Sequence, residues 1–147
     1  MTPRLIGIAR APVKRGPLEE LTAADVSVDS GIAGDRRGVK PGRQVTVLFR
    51  EGWDDACREL GVTLPWIARR ANLDVEGVER PRRVGDTLRI GEIVLAVTDE
   101  TDPCHVMELA HRGLKSALTP DWRGGVCCNV IAGGAIRVGD PVELTQN

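Results

Sequence analysis

Short apolar runs, repeatedly cut by glycine and proline, constrain this chain more than any other feature, because runs of that length build strands rather than long helices. Leu5, Gly7 and Ala9 alternate with Ile6 and Ile8, and Val26 and Val28 alternate with Ser27 and Asp29. Within residues 44–49, Val45, Val47 and Phe49 share one face. Residues 87–90 and 93–97 flank Gly91-Glu92, a Gly-X pair suited to a tight type II′ hairpin. Residues 126–131, 135–138 and 142–144 are parted by Gly133-Gly134 and by Gly139-Asp140-Pro141. The pattern predicts a mostly β fold, an antiparallel sandwich or a closed or partly open β-barrel, with a few short helices. At 147 residues it predicts one domain over 1–147, long enough to bury a core without disulfides or a structural metal. With aromatics at 3%, that core must come from Val, Ile, Leu and Ala.

Two segments break the strand pattern. Trp53, Ala56, Cys57 and Leu60 recur at helical spacing before Gly61, a C-cap signal, so a helix ends there and Cys57 lies on its apolar face. A second helix is expected from Asp102-Pro103, an N-cap followed by a proline suited to the first turn. Val106, Leu109 and Ala110 would form its apolar stripe, His111 and Arg112 its last turn and Gly113 its cap. Residues 121–125 read as a loop.

Charge narrows the function classes. Twenty basic residues against 21 acidic ones leave no electrostatic footprint for nucleic acid, and the few aromatics offer little for base stacking. The first residues lack the apolar run of a signal peptide, and no stretch approaches the roughly 20 apolar residues of a membrane helix. A cytoplasmic protein with reduced thiols is expected.

The four cysteines are Cys57, Cys104, Cys127 and Cys128, with no C-x-x-C pair to suggest structural zinc. A helix starting at Asp102 would set Cys104 in its first turn, where unpaired N–H groups and the helix dipole favour a thiolate. Asp99, Glu100 and Asp102 oppose that charge. The alternative is a small buried cysteine behind a proline.

Basic residues cluster with glycines elsewhere. Gly31-Ile-Ala-Gly-Asp-Arg-Arg-Gly38 can present guanidinium and N–H groups to a phosphate or carboxylate, or it can be a solvated turn in which Asp35 pairs with Arg36 or Arg37. Arg69-Arg70-Ala71-Asn72 precedes a strand, and Arg123 precedes Gly124-Gly125. Gathered at one end of the fold, such residues would make a pocket for a small anionic ligand. Cys104, Glu108 and His111 share one helix face in metal-ligand-like spacing, but His111 is also explained by its place at a helix end.

Taken in order, these pieces resemble the MOSC family, the domain at the C-terminus of molybdenum-cofactor sulfurases, also found in stand-alone bacterial proteins and in amidoxime-reducing proteins. The likeness runs through Gly31-Ile-Ala-Gly-Asp-Arg36, Arg43-Gln-Val-Thr-Val-Leu48, Arg70-Ala-Asn-Leu73, Leu88-Arg-Ile-Gly91, Pro103-Cys104, Arg123-Gly-Gly-Val126 and Gly133-Gly-Ala-Ile-Arg-Val-Gly-Asp140. The resemblance implies a barrel like that of pyruvate kinase. It makes Cys104 the characteristic cysteine, which carries sulfur or ligates molybdenum. The molybdenum cofactor, molybdopterin with its metal, would then need a soft thiolate and a basic cradle for its phosphate. Cys104 would meet the first need, and Arg36, Arg43, Arg70, Asn72 and Arg123 the second. The chain departs from the family at Arg37, where histidine is frequent, and at Ala71, where glutamate is frequent. It also carries neither a fused pyridoxal-phosphate desulfurase nor the further β-barrel domain of larger relatives.

Three readings follow. In one, Cys104 binds molybdopterin or its metal and supports reduction of N-hydroxylated compounds with electrons from a redox partner. In another, a Cys104 persulfide, loaded by a separate pyridoxal-phosphate-dependent cysteine desulfurase, passes sulfur to metal–sulfur clusters or to the cofactor. In the third, the barrel binds a small molecule and the thiol is structural.

Overall fold

Among the described residues eleven strands form, parted by the glycine and proline turns, and they arrange into two sheets. The computed structural model describes residues 2–147. The strands are β1 (Arg4–Arg10), β2 (Glu19–Leu21), β3 (Ala23–Ser27), β4 (Gly31–Ile32), β5 (Val45–Phe49), β6 (Leu73–Glu76), β7 (Thr87–Ile90), β8 (Ile93–Glu100), β9 (Val126–Ala132), β10 (Gly134–Arg137) and β11 (Val142–Thr145). The larger sheet runs β11-β7-β8-β9-β5-β6-β1-β2, and the smaller runs β10-β3-β4. Every pairing is antiparallel except β5 with β6. There the helix α1 (Arg50–Leu60) carries the chain back across the sheet, the crossover that parallel pairing needs.

A closed barrel does not form. The two sheets are open, and the larger curls until the chain beside β11 reaches the start of β1. One isolated bridge joins Arg4 to Pro141, flanked by bonds from Leu5 N–H to Asp140 (2.8 Å) and from Gly139 N–H to Leu5 (2.7 Å). Pro141 has no N–H to extend this contact into a ladder. Both sheets nevertheless feed one core, in which Val26, Ile32 and Ile136 of the smaller sheet meet Val45, Leu88 and Leu95 of the larger.

Strict alternation holds in β5, where Val45, Val47 and Phe49 enter that core. It fails in β1. A register shift between Leu5 and Gly7 turns Ile8 toward the core that Leu5 occupies and sends Ala9 to the opposite side. One extra residue reverses every face beyond it. Gly7 then lies flat under Trp66, where a Cβ would stand 2.6 Å from the indole ring.

A second core forms behind the sheet, where Leu48, Trp53, Ala56 and Cys57 meet Met107, Leu114 and Leu118. Helix α1 matches its sequence pattern and ends at Gly61 with φ 68°. The second helix begins later than the sequence suggests. Helix α2 spans His105–Ala110, Cys104 is its N-cap in extended conformation (φ −118°, ψ −177°), and Pro103 lies outside. The expected apolar stripe also fails: Val106, Leu109 and Ala110 are exposed, Val106 at the edge of a cavity, and Met107 is the residue that packs. Gly113, at φ 90°, precedes a further helix, α3 (Leu114–Leu118), instead of capping α2. The Glu108 carboxylate accepts from Gly113 N–H (3.1 Å) and Lys115 N–H (3.1 Å), closing the start of α3.

Candidate functional site

Beside the start of α2 lies a cavity of about 250 Å³, lined by Cys104 and by five cationic side chains, Arg37, Lys40, Arg43, Arg69 and Arg70. Met107, Val106 and Val47 supply apolar wall, and no carboxylate lines it. Cys104 is exposed, whereas Cys57, Cys127 and Cys128 are buried. A buried structural thiol behind a proline is therefore not what the fold contains at this position. The helix argument for Cys104 falls with the helix start, since α2 has only six residues and the cysteine precedes them. What distinguishes Cys104 is its place in the cavity.

Arg37 reaches the cavity because Asp35 holds it. The buried carboxylate accepts from Arg37 N–H (2.8 Å), Nε (3.1 Å) and Nη2 (2.9 Å), and from Ala11 N–H (3.2 Å) and Asn72 Nδ2. Burial pushes the Asp35 carboxyl up, but the hydrogen bonds and charge of Arg37, with the Asn72 amide, outweigh it and hold the group below its ordinary value. Arg37 Nη1 then donates to the Arg70 carbonyl (2.6 Å). Arg70 itself sits in the left-handed region at φ 63° and donates Nη2 to Gly16 (2.9 Å).

Asn72 touches the cavity, but its side chain is committed to the fold. Nδ2 donates to the Ala9 carbonyl (3.1 Å) and to Asp35, and Oδ1 accepts from Thr46 N–H (3.0 Å). It ties β1, β5 and the 31–38 loop together at the entry to β6. Its polar atoms are thereby spent on holding the cavity wall.

Arg69 closes the short 3₁₀ turn Trp66–Arg69 and is only 8% exposed. Nε donates to the Gly124 carbonyl (3.0 Å) and Nη2 to the Thr101 carbonyl (2.8 Å). Burial pushes this guanidinium below its ordinary value.

Of the residues singled out in the sequence, Cys104, Arg43, Arg70 and Asn72 come together here. Arg36 does not: it is exposed, and Asp35 selects its neighbour Arg37 for the inward position. Arg123 also stands outside the lining, spent on Glu59 (2.9 Å) and the Ala117 carbonyl (3.0 Å). Sequence reasoning singled out the segments that carry Arg37 and Arg69 but named neither as a cofactor residue, and it missed Lys40. The Asp35 pairing was a usable signal for Arg37, while burial of Arg69 depends on strands far along the chain.

Glu108 and His111 are accounted for locally. Glu108 caps α3, and His111 Nδ1 donates to the Arg112 carbonyl (2.8 Å). Among the described residues, no group of three or more His, Cys, Asp or Glu is placed to hold a metal ion. Burial pushes the thiols of Cys57 and Cys128 up, which makes them poorer nucleophiles. No helix among the described residues is long and apolar enough to cross a membrane.

The fold recurs in solved structures. The YuaD protein from Bacillus subtilis superposes with a TM-score of 0.80 at 22% identity, covering 98% of this chain and 96% of that one. YiiM from Escherichia coli gives 0.71 at 20% identity, covering 98% and 70%. YiiM from Geobacillus stearothermophilus gives 0.70 at 16% identity, covering 99% and 74%. At these identities the likeness concerns the fold. No curated protein matches the chain. The MOSC domain family model matches residues 34–143, a span that holds both the β5–β6 crossover and the cysteine loop, and the chain belongs to that family.

Proposed function

We propose that the chain is a molybdenum-cofactor-associated protein in which Cys104 binds molybdopterin or its metal. The observation that carries this reading is one exposed thiol standing in a small cavity lined by five cations and no carboxylate. A soft sulfur suits a soft metal, and guanidinium groups suit a phosphate tail. Five cations against one paired carboxylate, Asp35, also favour an anionic guest. The cavity, about 250 Å³, takes a small molecule or one end of a larger one. When bound, the cofactor supplies the electron-transfer chemistry that reduction of N-hydroxylated compounds requires. Arg43, Arg70 and Lys40 attract and orient its anionic end, Arg37 is held in place by Asp35, and Met107 and Val106 exclude water from one side. A separate redox partner delivers the electrons.

The same exposure of Cys104 supports a second reading, a non-enzymatic sulfur carrier loaded by a separate pyridoxal-phosphate-dependent desulfurase. Metal and sulfur analysis of protein from a molybdenum-replete host separates the two. Stoichiometric molybdenum, lost in Cys104→Ser, is expected on the first reading. Cyanolysable sulfur on metal-free protein, again lost in Cys104→Ser, establishes the carrier instead. Protein with neither overturns both.

A further inference from the structure

One cation of the cavity differs from the others. Lys40 and Arg43 are exposed, Arg70 is half-buried, and Arg37 is paired with Asp35. Arg69 is more than nine-tenths buried, and its hydrogen-bond partners are two neutral carbonyls. Two carbonyl dipoles accept from Nε and Nη2 without cancelling the charge, so the guanidinium remains a net positive centre in the wall beside Cys104.

The mount is tight. Gly124 packs so closely that a Cβ on it would stand 2.5 Å from the Thr101 carbonyl oxygen and 3.2 Å from Arg69 Nη2. Thr101 is three residues before Cys104, so the junction of Arg69, Thr101 and Gly124 locates the cysteine loop against the opposite wall. Behind Gly124, Asp121 (φ 58°) and Trp122 (φ 56°) hold left-handed backbone without being glycines. Asp121 is clamped there by Arg80 (3.0 Å) and Arg82 (2.8 Å). Conformations of this kind persist where the surroundings over-determine them. The charge of Arg69 is therefore fixed in position, as a selectivity element must be.

We propose that Arg69 is the specificity-determining residue of the cavity, making it take ligands whose end beside Cys104 is a carboxylate, phosphate or similar oxyanion, in preference to neutral ligands of the same size. This rests on Cys104 being the working thiol. An exposed lysine or arginine attracts anions only until salt screens it. A buried guanidinium in a narrow wall keeps its pull when salt is added, and it acts on whatever group reaches the sulfur.

Alkylation of Cys104 in the full chain by iodoacetate and by iodoacetamide tests this. Both reagents form the same S–C bond and expel iodide, so their rate ratio divides out the reactivity of the sulfur and leaves the effect of reagent charge. The ratio in the folded protein is expected to exceed that of the same chain in urea by about tenfold, the scale of one nearby charge at low effective dielectric. Most of the preference should persist in about 1 M KCl, where the screening length is about 3 Å. Arg69→Met should abolish it and Arg69→Lys should keep most of it. A preference that vanishes in 1 M KCl overturns the proposal on the unaltered protein, whether or not the variants fold. So does a preference that survives in folded Arg69→Met, or one absent from folded Arg69→Lys. A Cys104 that reacts with neither reagent overturns the reading of the thiol itself, a separate outcome from loss of charge preference.

Discussion

Asp35 and Arg37 meet in a two-pronged fork, Nε to Oδ1 at 3.1 Å and Nη2 to Oδ2 at 2.9 Å, and the fork is what turns Arg37 rather than Arg36 toward the cavity. The same carboxylate accepts from Ala11 N–H at the end of β1 and from the Asn72 amide before β6. A single buried side chain thus fixes one cationic wall to two strands. The wall is built by the fold before any ligand arrives.

Removing that carboxylate should cost stability and ligand affinity together. Asp35→Ala strands the Ala11 N–H and the Asn72 amide and frees Arg37, and a loss of about 3 kcal/mol is expected for breaking a buried pair from one side. Urea unfolding measures it, and a change within about 0.5 kcal/mol would show the fork to be idle. The pH dependence has a definite sign. Asp35 titrates below its ordinary value in the folded chain, so its contribution is complete above about pH 4 and disappears as the pH falls through the folded value. Asp35→Asn should flatten that acid limb.

Much of this was legible in the sequence, because strand and turn signals are local. The β7–β8 hairpin, β5 and the helix ending at Gly61 follow their patterns. The bulge in β1 was not legible, since alternation in Leu5–Ala9 carries no mark of an extra residue. The pattern left a closed or a partly open barrel as alternatives, because closure depends on a proline meeting a strand from the far end of the chain. Helix α2 misled because Asp102-Pro103 is a good helix start, yet Thr101 N–H pairs with the Gly125 carbonyl (2.9 Å) and its carbonyl with Arg69, holding the chain extended past the proline. At the site, residue types pointed to Cys104, Arg43 and Arg70, but Arg69 reaches its role through carbonyls 32 and 55 residues away.

Thiol accessibility gives a direct reading of the site. Cys104 is exposed, Cys57 is 6% exposed, Cys127 is 3% and Cys128 is fully buried. In native protein a maleimide should label Cys104 first and reach the other three only on unfolding, as read by peptide mass spectrometry. Cys104→Ser should remove the fast phase. Labelling of Cys57 ahead of Cys104 would contradict the exposed position of the cysteine loop.

Glu108 stabilises a helix that is not its own. Its carboxylate bonds to Gly113 N–H and Lys115 N–H, satisfying donors that α3 leaves open at its start. Glu108→Ala should cost about 1 kcal/mol, the usual loss for a removed cap. The labelling rate of Cys104 should stay within twofold of the parent, because the Arg69 junction and not α3 holds the cysteine loop. A metal-ligand role for Glu108 would instead appear as metal lost from the variant at unchanged stability.

Asp74 predicts an opposite pH effect. It is fully buried in β6, accepts from Arg50 Nε (2.9 Å) and Nη2 through Oδ2, and leaves Oδ1 without a partner. Burial dominates and, with Glu51 and Asp54 nearby, outweighs Arg50, so the carboxyl is pushed up to about 7. A folded chain that holds this proton longer than the unfolded chain is favoured at low pH. The Asp74 contribution is therefore fully present below about pH 4 and is lost as the pH rises through about 7. Asp74→Asn keeps the shape and one acceptor but cannot ionise, so its stability should show no such decline across that range. Urea midpoints of parent and variant at pH 5 and pH 8 decide the matter: the parent should lose ground relative to Asp74→Asn at the higher pH, and parallel shifts would place the titrating group elsewhere.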